Sequence, residues 1–133
     1  MKAIATLLAI GGGLTISSPG ALIITGVFDG PLPGGDPKGI ELFATSDIAD
    51  LAQFAVGVAN NGGGTDGVES ILPSQALAAG SFFLVTTELD DATQWFGIEP
   101  GHLAGNGINH NGDDAIELFF DSTGAFSGDE SVI

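Results

Sequence analysis

Gly39–Ala44 reads Gly-Ile-Glu-Leu-Phe-Ala, and Ala115–Phe120 reads Ala-Ile-Glu-Leu-Phe-Phe. The shared Ile-Glu-Leu-Phe has the two-residue period of a strand that buries one face. Each copy follows a loop rich in Gly and Asp, so each is predicted to be a central strand of one small β-domain. With Ile40 and Leu42, and likewise Ile116 and Leu118, turned to the core, Glu41, Phe43, Glu117 and Phe119 face the other way. That second face joins acid to aromatic. It reads either as an interaction surface or as two phenylalanines, Phe43 and Phe119, tucked beneath loops.

Working outward, Leu22–Phe28 (Leu-Ile-Ile-Thr-Gly-Val-Phe) is β-branched and apolar and predicts the strand before the first copy. Residues 29–38 carry Pro and Gly throughout and predict a loop. After the first copy, 45–53 is too short and polar for a full helix and predicts a helical turn or tight connection. Phe54–Ala59 predicts a strand with Phe54, Val56 and Val58 on one face and Ala55, Gly57 and Ala59 on the other. The Asn/Gly run 60–67 needs backbone freedom. Residues 68–72 predict a short edge strand stopped by Pro73, which cannot donate to a ladder. Residues 81–86 form the most apolar strand, predicted central and buried. One short helix is predicted over 87–96, capped by Thr87 with Asp90 three residues on. Asp90 and Asp91 lie in its first turn, where the dipole favours anions. Trp95 and Phe96 close it as a lid on the sandwich rather than a ligand platform, and Gly97 ends it. A further short strand is predicted around 107–110 and a final one over 125–133. Short strands, frequent Gly/Asp/Asn turns and one minor helix predict an all-β antiparallel sandwich or barrel.

The 133 residues include two lysines, Lys2 and Lys38, no arginine and 17 acids, for a net charge of −15. Such a surface repels phosphate backbones and anionic membranes, which argues against direct nucleic-acid binding. It favours solubility, bound divalent cations or a salty medium that screens the repulsion. There is no cysteine, hence no disulfide, which fits a bacterial exported protein better than a small animal secreted domain. No Asn-X-Ser/Thr acceptor is present. Met1-Lys2 begins the chain, 3–10 is apolar, and 11–20 is rich in Gly and Ser. These are the marks of a secretory signal peptide over 1–20, with the domain over 21–133. The alternative is an ordinary N-terminal strand or helix over 4–16. The apolar run is too short for a comfortable membrane span, so no membrane insertion is expected once the signal is removed.

Four motifs occur in a familiar order: Leu-Ile-Ile-Thr-Gly-Val-Phe-Asp-Gly at 22–30, and Lys-Gly-Ile-Glu-Leu-Phe-Ala at 38–44. Then come Ile-Leu-Pro at 71–73 leading to Leu-Ala-Ala-Gly-Ser-Phe-Phe-Leu-Val at 77–85, and Asn-Gly-Asp-Asp-Ala-Ile-Glu-Leu-Phe-Phe-Asp at 111–121. Their sequence resembles the lamin-tail domain in its bacterial secreted form, over residues 22–132. The resemblance implies an immunoglobulin-like β-sandwich. It also implies a non-catalytic accessory module of the kind attached to exported nucleases, phosphatases and other surface hydrolases. The resemblance implies a further Asp- and Gly-rich segment past the position of Val132-Ile133, where this sequence stops. The expectation is either a dispensable last strand or an open sheet edge that pairs with another chain, giving self-association.

For catalysis the sequence offers little. It has no thiol, no Gly-x-Ser-x-Gly elbow and no His-Glu-x-x-His spacing, and the carboxylate pairs Asp90-Asp91 and Asp113-Asp114 read as solvated. With no arginine and one lysine outside the signal, nothing is available to hold a phosphate or a developing anion. No enzyme is expected. Oxygen-rich clusters favour calcium, which takes carboxylate and amide oxygens. The candidate set is Asn109, Asn111, Asp113, Asp114 and Asp121, with Asn61, Asp66 and Glu69 as a second set and Asp29 and Asp36 as a third. Plain turn chemistry is the competing reading of all three. His102 and His110 read as loop histidines or as zinc or copper ligands with nearby acids. The expected function is an exported, surface-located module for protein–protein or cell-surface attachment, self-assembling through an open edge. A calcium- or carbohydrate-binding module and a truncated accessory domain of a secreted nuclease or phosphatase are the alternatives.

Overall fold

The computed structural model describes residues 17–97, 101–128 and 130–133. The signal-peptide expectation for 1–16 lies outside them. Eight strands follow in order: β1 Leu22–Phe28, β2 Gly39–Ala44, β3 Phe54–Ala59, β4 Ser70–Ile71, β5 Phe82–Thr86, β6 His102–Leu103, β7 Ala115–Phe120 and β8 Ser131–Val132. One helix, α1, spans Leu89–Phe96 between β5 and β6. Among the described residues no helix is long and apolar enough to cross a membrane.

The strands make two four-stranded sheets, β1-β2-β5-β6 and β4-β3-β7-β8. Every pairing is antiparallel except that of the two-residue β6, which runs parallel to β5. The result is an immunoglobulin-like β-sandwich. The two Ile-Glu-Leu-Phe copies are interior strands, as expected, but of opposite sheets. Leu22, Ile40, Leu42, Phe83 and Val85 from the first sheet meet Phe54, Val56, Val58, Leu118 and Phe120 from the second in one core. The Phe54 and Phe120 rings pack 5.1 Å apart across neighbouring strands. Apolar burial is worth about 25 cal/mol per Å² removed from water. It dominates here, because the chain has no cysteine and the described residues hold a single lysine–carboxylate pair, Lys38 with Asp29 at 2.9 Å.

Four local expectations change. The helix begins at Leu89 rather than 87, with Glu88 at the N-cap and no side-chain capping bond. Thr87 is engaged elsewhere: its hydroxyl oxygen accepts the Lys38 N–H at 3.2 Å, and the hydroxyl donates to the Glu88 carboxylate. Phe96 packs on Phe28 with ring centroids 4.5 Å apart, but Phe96 and Trp95 both remain exposed, at 43% and 49%, so neither is a buried lid on the core. Around 107–110 there is no strand; a 3-10 turn over Gly105–Ile108 inserts the fully buried Ile108 into the core. The last strand shrinks from 125–133 to Ser131–Val132. Asp121 gathers the Thr123 and Phe126 N–H groups, and Phe126 and Gly128 have φ of 44° and 102°, which turn the chain away from extension.

Candidate functional site

β1 is the outermost strand of its sheet and pairs only with β2 among the described residues. The Thr45 N–H donates to Ala21 O at 2.8 Å, while the Ala44 N–H turns the other way, to Ser81 O at 3.0 Å. Antiparallel ladders alternate, so the backbone groups of Leu22 and Ile24 point away from β2, along the free edge. At Thr25 an extra residue enters β1: Ile24 lies opposite Leu42 and Gly26 opposite Glu41. This bulge resets the alternation, so that Phe28 rides over Gly39, where a Cβ would run into its ring. Among the described residues, Leu22–Ile24 is thus a short straight segment whose outward donors and acceptors have no strand beside them.

Apolar surface lies on both sides of that segment. Beneath it, between the sheets, an apolar hollow of about 190 Å³ is lined by Pro19, Leu22, Ile24, Leu118 and Ile133 among others. Above it, on the outer face, Ile23 stands opposite Phe43, and Phe43 opposite Phe82. The two phenylalanine rings lie 5.0 Å apart. Ile23 is 41% exposed and Phe82 60%. Glu41 flanks this row, its Oε1 accepting the Thr25 hydroxyl at 2.8 Å. A strand laid along β1 would satisfy the free backbone groups, drop one side chain into the hollow and add the next to the row.

The corresponding face of the second sheet is closed. Phe119 is 2% exposed. Its ring lies 3.1 Å from where a Cβ on Gly57 would stand, and the Gly67 carbonyl sits over the same glycine. The 60–67 loop therefore covers the outward aromatic of the second copy. Of the two sequence readings of the Phe43/Phe119 face, tucking beneath a loop holds for Phe119, and exposure for the row containing Phe43.

Strand β7 divides the first calcium set, with Asp121 at the far end from the other four. Asp114 precedes β7 and Asp121 follows it, so the length of a six-residue strand separates them, about 20 Å at 3.4 Å per residue. Asp114 accepts the backbone N–H of Asn61 at 2.7 Å and of Asn111 at 2.6 Å, and these bonds hold its carboxyl below the usual range. Asp121 accepts the hydroxyl and N–H of Thr123, each at 2.7 Å, with the same downward effect. Both are loop staples. Asn109, Asn111 and Asp113 are exposed. In the second set, Asp66 accepts from the Asn60 amide at 2.8 Å, whereas Glu69 accepts the Val58 N–H at 2.9 Å. In the third, Asp29 binds Lys38, while Asp36 precedes a cis proline. Among the described residues no three His, Asp or Glu side chains assemble as a metal set.

The histidines divide. His110 is buried, with Nδ1 2.8 Å from Ile108 O and Nε2 3.2 Å from Phe28 O, beside Asp29. It ties the loop before β7 to the end of β1. His102 Nε2 lies 2.8 Å from the Ser70 hydroxyl, and burial pushes its pKa down, favouring the neutral ring. This pair links β6 of one sheet to β4 of the other. No carboxylate is bonded to the His102 ring among the described residues, so the base–orienter contact of a nucleophilic triad is lacking there. Sequence reasoning missed the pair, because 32 residues separate its members and no local motif joins them. The edge at Leu22–Ile24 was missed for the same reason: its exposure depends on strand order.

No protein-family model, curated protein or solved structure matches this chain.

Proposed function

We propose that this chain is an exported, non-catalytic accessory module of lamin-tail type that attaches to a protein partner by strand addition along β1. The observation that carries the reading is the Leu22–Ile24 edge, unpaired among the described residues, with the apolar hollow inside and the Ile23–Phe43–Phe82 row outside. Main-chain hydrogen bonds would supply much of the affinity, and the two apolar contacts the selectivity. Export is supported by the basic, apolar and small-residue order of residues 1–20, and by a charge of −15 with no cysteine. The order of the four motifs supports the lamin-tail assignment. Self-assembly through the same edge is the narrower form of this reading, in which the added strand comes from a second copy.

The test is add-back. Purified chain is returned to cells of its source that lack it, and the retained surface fraction is measured for the native sequence, Phe82→Ser and Ile23→Ser. Retention that drops in both variants, with unchanged melting, supports the reading. Equal retention by all three, or turnover of an ester or phosphodiester by the isolated chain, overturns it.

A further inference from the structure

We propose that the strand accepted by β1 is cationic: an extended polypeptide segment in which apolar side chains alternate with Lys or Arg. The inference rests on the strand-addition reading above and adds the chemistry of the partner. The shape of the site requires the alternation. A strand along Leu22–Ile24 sends alternate side chains to the hollow, which is apolar, and to the outer face, where the Glu41 carboxylate stands beside the Ile23–Phe43 row. The electrostatics require the charge. The chain carries −15, and among the described residues Lys38 is the single Lys or Arg. Lys38 is 2% exposed, with its ammonium bonded to Asp29. The described surface therefore offers no free lysine or arginine to an anionic partner. An acid flanks the edge: Glu41 stands beside the outer row, its Oε1 accepting the Thr25 hydroxyl.

A second copy fits the hydrogen bonds but not the field. Its β1 is uncharged, yet it would bring a second −15 to the junction, and like charge opposes association wherever salt does not screen it. A segment bearing Lys or Arg gains from the field that repels a copy, and it is steered toward the edge before contact.

The test uses three ten-residue peptides that alternate Ile or Phe with Lys, with Gln or with Glu. Titrations are followed by calorimetry and by hydrogen exchange at Leu22 and Ile24 in low and in moderate salt. The Lys peptide is expected to bind roughly tenfold more tightly than the Gln peptide, with the gap shrinking as salt rises. It should slow exchange at Leu22 and Ile24, and it should weaken roughly fivefold in Phe82→Ser. Phe82 is 60% exposed, so this variant keeps its fold, which its melting curve verifies. Equal binding of the Gln or Glu peptide with the same protection overturns the cationic partner and leaves strand addition standing. Lys-peptide binding indifferent to Phe82→Ser and Ile23→Ser is general attraction to a polyanion and overturns the proposal. A dimer at low salt that Phe82→Ser dissolves overturns it in favour of a second copy. Absence of binding by all three peptides overturns both the partner and the strand-addition reading.

Discussion

The two Ile-Glu-Leu-Phe segments occupy equivalent places in opposite sheets and differ in what happens on their outer sides. In each, the glutamate faces a glycine on the neighbouring strand: Glu41 opposite Gly26, Glu117 opposite Gly57. Over Gly26 the surface is open, and a Cβ there would make only an ordinary 3.4 Å contact with Glu41. Over Gly57 the Gly67 carbonyl presses down, leaving no room for a Cβ. The consequence passes to the next pair of residues. Phe119 is sealed, whereas Phe43 lies in a row that ends in the exposed Phe82. The acids diverge as well. Glu41 accepts a hydroxyl, but Glu117 Oε2 is buried without a hydrogen-bond partner among the described residues. The same four residues therefore build a closed wall in one sheet and an interaction face in the other, and the cover decides which.

The sharpest way to break this contrast is to truncate both aromatics. Phe119→Ala should cost about 3–5 kcal/mol, the range for a buried phenylalanine, and Phe43→Ala under about 1.5 kcal/mol because less surface is at stake. Denaturant melts that give equal losses would mean that the second sheet is not covered as described. The glycines come next. Gly57→Ala forces the 60–67 loop to move and should cost about 1–3 kcal/mol, while Gly26→Ala should stay within about 0.5 kcal/mol. A neutral Gly57→Ala would remove the loop from the argument.

Smaller still is the effect at the acids. Glu117→Gln removes an unpaired buried carboxylate oxygen from a strongly anionic chain and should gain about 1 kcal/mol; Glu41→Gln should change little. Matched thermal melts would show it. The smallest effect is the clasp between the sheets. Burial lowers the His102 pKa, so the folded state binds fewer protons than the unfolded chain through the histidine range. The contribution is therefore fully present above the ordinary histidine value of 6.5 and is lost as pH falls through the lowered one. His102→Gln should flatten that part of the stability–pH curve. An unchanged slope between about pH 7.5 and 5.5 would deny the clasp its role.

Much of the architecture was readable in advance, because alternation is a local property. Leu22–Phe28, Gly39–Ala44, Phe54–Ala59 and Ala115–Phe120 are strands over the predicted residues, with Phe54, Val56 and Val58 turned to the core. The readings that failed depended on distant partners. Thr87 had the right residue type for a cap, but Lys38 and Glu88 claim its hydroxyl. Residues 107–110 had strand-like spacing, but Ile108 has a core position to fill and a 3-10 turn delivers it there. The candidate edge was legible only as a general expectation of an open strand near the C-terminus. The structure leaves β8 outermost in the second sheet, and adds a second edge at β1, whose outer position follows from the strand order.

The sequence by itself determined that two alternating apolar ribbons would be strands, which of their side chains would face inward, and that the surface around them would be acidic. Those properties follow from the two-residue period and from composition, and no neighbour is needed to express them. The tertiary structure alone decided that the ribbons would lie in opposite sheets, that a glycine carbonyl would seal Phe119 while Phe82 stays in the open, and that β1 would be outermost among the described strands of its sheet. Each of these depends on which distant segment arrives beside a strand, and strand order is a property of the packed chain rather than of any stretch within it.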